Sequence, residues 1–168
     1  MKNTMYMMLI ALALVFTATS CSKDDDGGDG GDAAAGTVKA KVDGANFTSA
    51  SQTTNATLVN SGGTSTLSIF GSDLNGKTIT LGINGSYDGV GTYNIGGGAN
   101  VFVNATYSEA STSGVTAWQA PFDDTVAGEI NISESSDTKV VGTFNFTAKT
   151  SDGSSTKVIT EGSFNVDF

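Results

Sequence analysis

The stretch KVVGTFNFTAK, from Lys139 to Lys149, alternates apolar and polar residues and gives the clearest structural signal in the chain. Its apolar positions are Val140, Gly142, Phe144, Phe146 and Ala148. A period of two is that of a β-strand with one buried and one solvent-facing side. After a turn at 151–154 the chain returns through 156–160 and 163–168, where Phe164, Val166 and Phe168 share a face. Because aromatic residues at alternate positions pair well across a ladder, this hairpin is predicted to be the centre of the core.

Short runs of the same kind extend back to Thr37 and are separated by Gly, Asn, Asp and Ser turn signals. The predicted extended runs before the hairpin are 37–42, 46–47, 53–60, 66–70, 78–83, 91–95, 101–107, 115–119 and 128–133. Gly162 is expected to mark a bulge or bend. No segment shows a sustained helical period with caps. Residues 37–168 are therefore predicted to form an all-β domain, an antiparallel β-sandwich or partly closed β-barrel of about eight to ten short strands.

Residues 1–20 have the organisation of a secretory signal peptide. Lys2 supplies the charged start, Met5–Phe16 is apolar, and the small polar residues Thr17–Ser20 precede Cys21. The apolar run is shorter than the ~20 residues that a membrane-spanning helix needs. The sequence therefore predicts a signal peptide that is cleaved before Cys21, the chain's single cysteine.

Residues 22–36, SKDDDGGDGGDAAAG, form an acidic glycine-rich tract. With no apolar side chain beyond alanine, such a tract does not bury a core of its own. Glycine and repelling carboxylates favour an extended, disordered tether between Cys21 and the folded domain. Its aspartates lack the closing glutamate of an EF-hand loop, so no metal site is expected there.

Charge and composition exclude several classes of function. The formal net charge is −9, all eight basic residues are lysine, and histidine is absent. Such a charge repels nucleic acid. Without histidine, Ser-His-Asp catalysis and imidazole-bound zinc cannot occur. No Walker or dinucleotide-type glycine loop precedes a helix, so no cofactor and no enzymatic activity are expected.

A glycoside hydrolase that uses two carboxylates is the enzymatic alternative, because two acids at a suitable separation suffice. The candidate acids are Glu109, Asp123, Asp124, Glu129, Glu134 and Glu161. In a small β domain such acids usually lie at solvated strand edges or in turns, which favours a non-enzymatic domain.

The stretch WQAPFDD, from Trp118 to Asp124, is the best candidate for ligand contact. It places an aromatic residue, an amide and two carboxylates in one predicted loop. The candidate binding residues are Trp118, Gln119, Phe122, Asp123 and Asp124, with Tyr87 and Tyr93 as secondary candidates. The alternative is that Trp118 is a core residue, since tryptophan is highly buried on average.

Three glycine-containing strand motifs carry a family resemblance. GEINI at 128–132, GTFNF at 142–146 and ITEGSFNV at 159–166 follow one another at short intervals. Their order resembles the C-terminal part of a family of Bacteroidota lipoproteins of unknown function. VDGANF at 42–47 and GTY at 91–93 resemble that family's first strand and central piece. The resemblance implies a small all-β domain on a lipid anchor, and the family supplies no established catalytic or binding residues.

The segment before and after the cysteine resembles a lipobox and an export signal. Ala18 and Ser20 stand where the commonest lipobox has Leu and Gly or Ala, and Cys21 would carry the acyl chains, such as palmitate. The residues that resemble the Bacteroidota export signal are Ser22, Lys23, Asp24, Asp25 and Asp26. This resemblance implies the outer leaflet of the outer membrane. Asp124-Thr125-Val126 resembles an O-glycosylation sequon, which makes Thr125 a candidate glycan acceptor.

Together these features predict a surface-exposed lipoprotein of the cell envelope. Its domain is expected to be a monomeric, non-enzymatic binding or accessory module for a glycan or an envelope protein. The alternatives are a structural or antigenic coat lipoprotein without a small ligand, and the carboxylate-based hydrolase.

Overall fold

The computed structural model describes residues 32–98 and 102–168, and these form β-strands with a single turn of 3₁₀ helix at Ser51–Thr53. The strands are β1 (Thr37–Val42), β2 (Ala45–Thr48), β3 (Thr54–Ser61), β4 (Thr64–Ser72), β5 (Lys77–Ile83), β6 (Gly91–Gly96), β7 (Val103–Ser111), β8 (Gly114–Ala120), β9 (Val126–Ser135), β10 (Lys139–Lys149) and β11 (Thr156–Asp167). The all-β prediction is confirmed, with eleven strands in the described part of the chain. The predicted signal peptide, Cys21 and the export signal at 22–26 lie outside the described residues, as does Val101.

All strands pair antiparallel in one curled sheet of order β2-β1-β11-β10-β8-β7-β5-β4-β3, with β9 beside β10 and β6 beyond β9. β10 therefore has two neighbours on one side: its residues Val140–Phe146 pair with β9, whereas Lys149 pairs with Gln119 of β8. The two ends of the order meet near β2, where the main-chain N of Ala50 donates to Ser72 O at 2.9 Å. The sheet is thus a partly closed barrel.

A buried serine helps to hold this closure. The Ser49 hydroxyl is buried, accepts a hydrogen bond from Val38 N at 2.8 Å and lies 2.6 Å from Thr54 Oγ1. Thr54 Oγ1 in turn donates to Ala50 O at 2.8 Å. These bonds satisfy buried polar groups. Each such group would cost about 1–3 kcal/mol of stability if it were left without a partner.

The predicted hairpin lies at the centre of the core, as its alternation indicates. Along β10 every second position from Val140 to Ala148 is buried, and the positions between them, including Val141, are not. Phe144 stacks on Phe146 and Phe164, with ring centroids 6.2 and 6.3 Å apart. Phe168, which shares the sequence pattern, is 39% exposed because the strand ends at Asp167.

Two glycines let the aromatic residues pack against the main chain. Gly142 lies opposite Phe164 and Gly162 opposite Phe144 in the β10–β11 ladder. A Cβ on Gly142 would overlap Asn131 O and come within 2.5 Å of Phe164 Cζ. The predicted bulge at Gly162 is confirmed: the register shifts beside it, and the preceding Glu161 has a φ of 51°.

Candidate functional site

Trp118 lies in the core. Its side chain is 6% exposed and packs on Tyr107, with ring centroids 5.7 Å apart. The indole Nε1 donates to Ser155 Oγ at 3.0 Å, and Lys157 Nζ lies 5.3 Å from the ring centroid. The β10–β11 turn therefore satisfies the polar edge of the indole, which agrees with the core alternative.

Gln119 and Phe122 point outward. Gln119 follows Trp118 on β8, so its side chain lies on the opposite, exposed face of the sheet. Phe122 is 45% exposed, and Lys149 Nζ lies 5.0 Å above its ring. The structure thus separates the predicted residues into one buried aromatic residue and two exposed side chains.

Asp123, Asp124 and Thr125 form the turn that leads into β9. Asp123 Oδ1 accepts hydrogen bonds from the Oγ1 and the main-chain N of Thr125, and these bonds lower the pKa of Asp123. Asp124 contributes its main-chain O, which accepts from Gly98 N at 2.8 Å. Thr125 is exposed, as a glycan acceptor would have to be.

A shallow open groove of about 550 Å³ runs beside the indole. It lies between β8 and the β10–β11 turn and is lined by Val115, Thr116, Ala117, Trp118, Thr150, Ser151, Asp152, Ser154 and Ser155. Asp152 is its acidic group. Its Oδ1 accepts from Thr150 Oγ1 at 2.6 Å, Ser154 Oγ at 2.8 Å and Ser154 N at 3.1 Å, and these bonds lower the pKa of Asp152 to about 2. Because all three donors lie within residues 150–154, Asp152 is a turn-forming carboxylate.

Other acids of the described chain are also held by partners of their own. Glu134 pairs with Lys139 at 3.0 Å, and Glu161 pairs with Lys41 at 2.8 Å. Glu109 accepts from the Tyr107 hydroxyl at 2.6 Å, and burial followed by this bond raises the pKa of Tyr107. Within residues 32–98 and 102–168 there is no group of three His, Cys, Asp or Glu side chains that could hold a metal ion.

Sequence reasoning did not find an ionic cluster at one end of the barrel. Lys157 Nζ lies 3.0 Å from Asp43 Oδ2 and 3.9 Å from Glu109 Oε1. Val158 N donates to Asp43 Oδ1 at 2.9 Å, and this bond followed by Lys157 lowers the pKa of Asp43. The partners are far apart in the chain, and the only local signal was the Asp43-Gly44 turn.

Tyr87 and Tyr93 hold a loop in place. Their rings stack with centroids 5.8 Å apart, and Tyr87 is buried. The Tyr87 hydroxyl donates to Ser135 Oγ at 2.7 Å, and the Tyr93 hydroxyl donates to Gly89 O at 2.9 Å. Burial raises the pKa of Tyr93. These contacts anchor the β5–β6 loop.

We expect Asp152→Asn to alter the acid sensitivity of the fold. The pKa of this carboxyl is about 2 in the folded protein and about 3.9 in an unfolded chain. Its stabilising contribution is therefore fully present above about pH 4 and is lost as the pH falls towards 2. The variant should be less stable than the wild type at pH 6, and the difference should shrink towards pH 2, as measured by urea denaturation.

Asp124→Asn is the matched control for this experiment, because it makes the same chemical change in another exposed turn. A stability difference for Asp152→Asn that stays constant from pH 6 to pH 2 would contradict the role given to its carboxylate.

The part of the chain that the structure describes contains no helix with the length and hydropathy of a membrane span.

A family model described as "Domain of unknown function (DUF6252)" matches residues 34–166. The match includes β1 to β10 and all of β11 except Asp167. Neither the curated proteins nor the solved structures gave a match. The chain therefore belongs to the DUF6252 family, a family of domains of unknown function.

Proposed function

We propose that this protein is a lipid-anchored β domain of the cell envelope that acts as a non-enzymatic binding or accessory module. Cys21, after an apolar leader and before an acidic tract, supports the anchor. The β domain that follows the acidic tract supports the role of a binding module, because its single curled sheet presents exposed outer side chains to a partner. Its partner would be a glycan or another envelope protein.

The pairing of the acids is the observation that favours binding over catalysis. Glycoside hydrolysis needs two carboxyl groups with separate, tuned pKa values that face the same bond. Here Glu109, Glu134 and Glu161 each contact a different partner, and Asp123 is bonded within its own turn. The other two candidate acids, Asp124 and Glu129, have exposed side chains. A surface that binds without reacting has no such requirement.

The shallow groove supports a second candidate function, a structural or antigenic coat lipoprotein. Sites for small molecules are usually concave and bury most of the ligand. The groove beside Trp118 is open and is lined mainly by small polar residues. A coat protein needs exposure at the cell surface but no ligand, so binding measurements separate the two functions.

Antibody labelling of intact cells tests the proposed placement. An antibody against the folded domain should label intact cells of the bacterium that encodes the protein, without permeabilisation. A periplasmic protein should be labelled only after the outer membrane is permeabilised, which serves as the control. Labelling of the domain that likewise requires permeabilisation would contradict surface exposure.

A further inference from the structure

The outer surface of five adjacent strands, β3, β4, β5, β7 and β8, differs from the rest of the sheet. The pairings between these strands continue without a bulge or register shift. The pairings of β1, β9, β10 and β11 do contain shifts. A regular register aligns the outward side chains of the five strands in straight rows across the sheet.

The central row contains Asn55, Phe70, Thr80, Thr106 and Gln119. The next row contains Thr57, Ser68, Gly82 and Asn104. With neighbouring strands about 4.8 Å apart, the central row spans roughly 19 Å. We call the surface formed by these two rows the neutral face, because it carries no charged residue. Phe70, which is 39% exposed, is its aromatic side chain.

Charge is placed elsewhere on the outer surface of the sheet. Lys39 and Lys41 lie on β1, Glu129 and Glu134 on β9, and Lys139 and Lys149 on β10. Several of these charges are satisfied within the chain, as in the Lys41–Glu161 and Lys139–Glu134 pairs. For a chain of net charge −9, the neutral face is therefore a distinct surface.

The polar groups of the neutral face have no partners within the described chain. No side-chain hydrogen bond joins Asn55, Thr80, Thr106 or Gln119 to another residue of the described chain. By contrast, Thr78 and Ser72, on the same strands but closer to the β4–β5 turn, bond to each other at 3.0 Å. The hydroxyl and amide groups of the central row are thus open to a ligand.

We propose that the neutral face binds an uncharged polysaccharide, an inference that rests on the proposed binding function and names its ligand class. Hydroxyl and amide groups both donate and accept, as the hydroxyls of sugars do. Phe70 supplies an apolar ring surface within the row. The two rows contain no cation for an anionic polysaccharide, and the net charge of −9 would repel such a ligand. Lys149, which pairs with Gln119 at the edge of the central row, lies over the ring of Phe122. The core of a protein–protein interface is enriched in aromatic residues, Met and Arg, whereas these two rows contain Phe70 and otherwise small polar residues and glycine.

Affinity electrophoresis of the membrane-purified protein in detergent tests this assignment. The gels contain hydroxyethyl cellulose or galactomannan, which are neutral, or polygalacturonate, which is anionic. At least one neutral polysaccharide should slow migration, and Phe70→Ala should weaken that association at least about fivefold. Val158→Ala shortens an exposed apolar side chain on the outer side of β11, outside the five strands, and should change the association less than about twofold.

A second variant protects the test against an effect of Phe70→Ala on folding. Thr106→Lys places a charge in the central row, and Thr143→Lys places the same charge on the outer side of β10. Only Thr106→Lys should reduce retardation, while circular dichroism shows both variants to be folded.

Three results would overturn the proposal. One is a wild-type protein that no neutral polysaccharide retards. Another is retardation that Phe122→Ala abolishes but Phe70→Ala does not change. That result would place glycan binding at the Trp118–Asp124 stretch and not at the neutral face. The third is a dimer, measured by light scattering, that Phe70→Ala dissociates, since the neutral face would then be covered by a second copy. Surface labelling of cells is independent of all three.

Discussion

Gly142→Ala is expected to destabilise the domain by about 3 kcal/mol or more, a large share of the about 5–15 kcal/mol typical of a folded domain. The added Cβ would overlap the main-chain O of Asn131 on β9 and press on the ring of Phe164. A side chain can rotate away from a new methyl group, but a main-chain carbonyl can move only if β9 shifts against β10. Urea denaturation of purified protein measures the loss.

Gly82→Ala is the matched control, because Gly82 also lies within a strand and neither glycine has a left-handed φ. Its Cβ would meet the Asn104 side-chain amide at 2.8 Å, on the outer face where that amide can swing into solvent. The control should lose less than about 1 kcal/mol. Equal stability of the two variants would mean that the close approach of Asn131 O and the Phe164 ring to Gly142 does not constrain how β9 and β11 pack against β10.

Cys21→Ala is expected to abolish attachment to the membrane. Each buried methylene of an acyl chain contributes about 0.8 kcal/mol, and stable anchoring takes more than one chain or a second signal. Under the proposed anchoring, loss of the thiol prevents attachment of every acyl chain at once. The variant should therefore remain unprocessed or become soluble, and detergent-phase partition followed by immunoblotting distinguishes it from the wild type.

Ser20→Ala controls for changes near the proposed processing site, because alanine is one of the two commonest residues before the cysteine of the lipobox that this segment resembles. It should leave partition unchanged. A Cys21→Ala protein that partitions with the membrane as the wild type does would show that the thiol carries no anchor.

Strands with one clear apolar face could be predicted from the sequence. In β10 every second residue is apolar, and in β5 Ile79, Leu81 and Ile83 share a face; all of these positions are buried. The period identifies the buried face, and the flanking Gly, Asn and Asp residues identify the turns. The same two signals predicted the all-β fold.

The orientation of Trp118 could not be predicted in this way. On β8 one side carries Val115, Ala117 and Gln119, and the other carries Thr116, Trp118 and Ala120. Both sides mix apolar and polar residues, so periodicity does not choose between core and surface. The structure places the tryptophan inside, where Tyr107 packs against it.

Contacts between distant parts of the chain were also beyond sequence reasoning. Strand pairing depends on contacts between segments that are distant in the chain. No single segment therefore indicates that β10 pairs with β9 along most of its length and with β8 at Lys149. Ser49 looks like a loop residue, yet its buried hydroxyl bonds to Val38 of β1. The neutral face likewise appears only when five strands are set side by side.

The proposed lipid anchor is tested most directly by the mass of the N-terminal peptide of protein purified from the membranes of the cells that naturally make it. The expected peptide begins at Cys21 and carries acyl chains on that residue. A peptide that retains residues 1–20, or one in which Cys21 is unmodified, would contradict the proposal that this domain is held at the membrane by lipid.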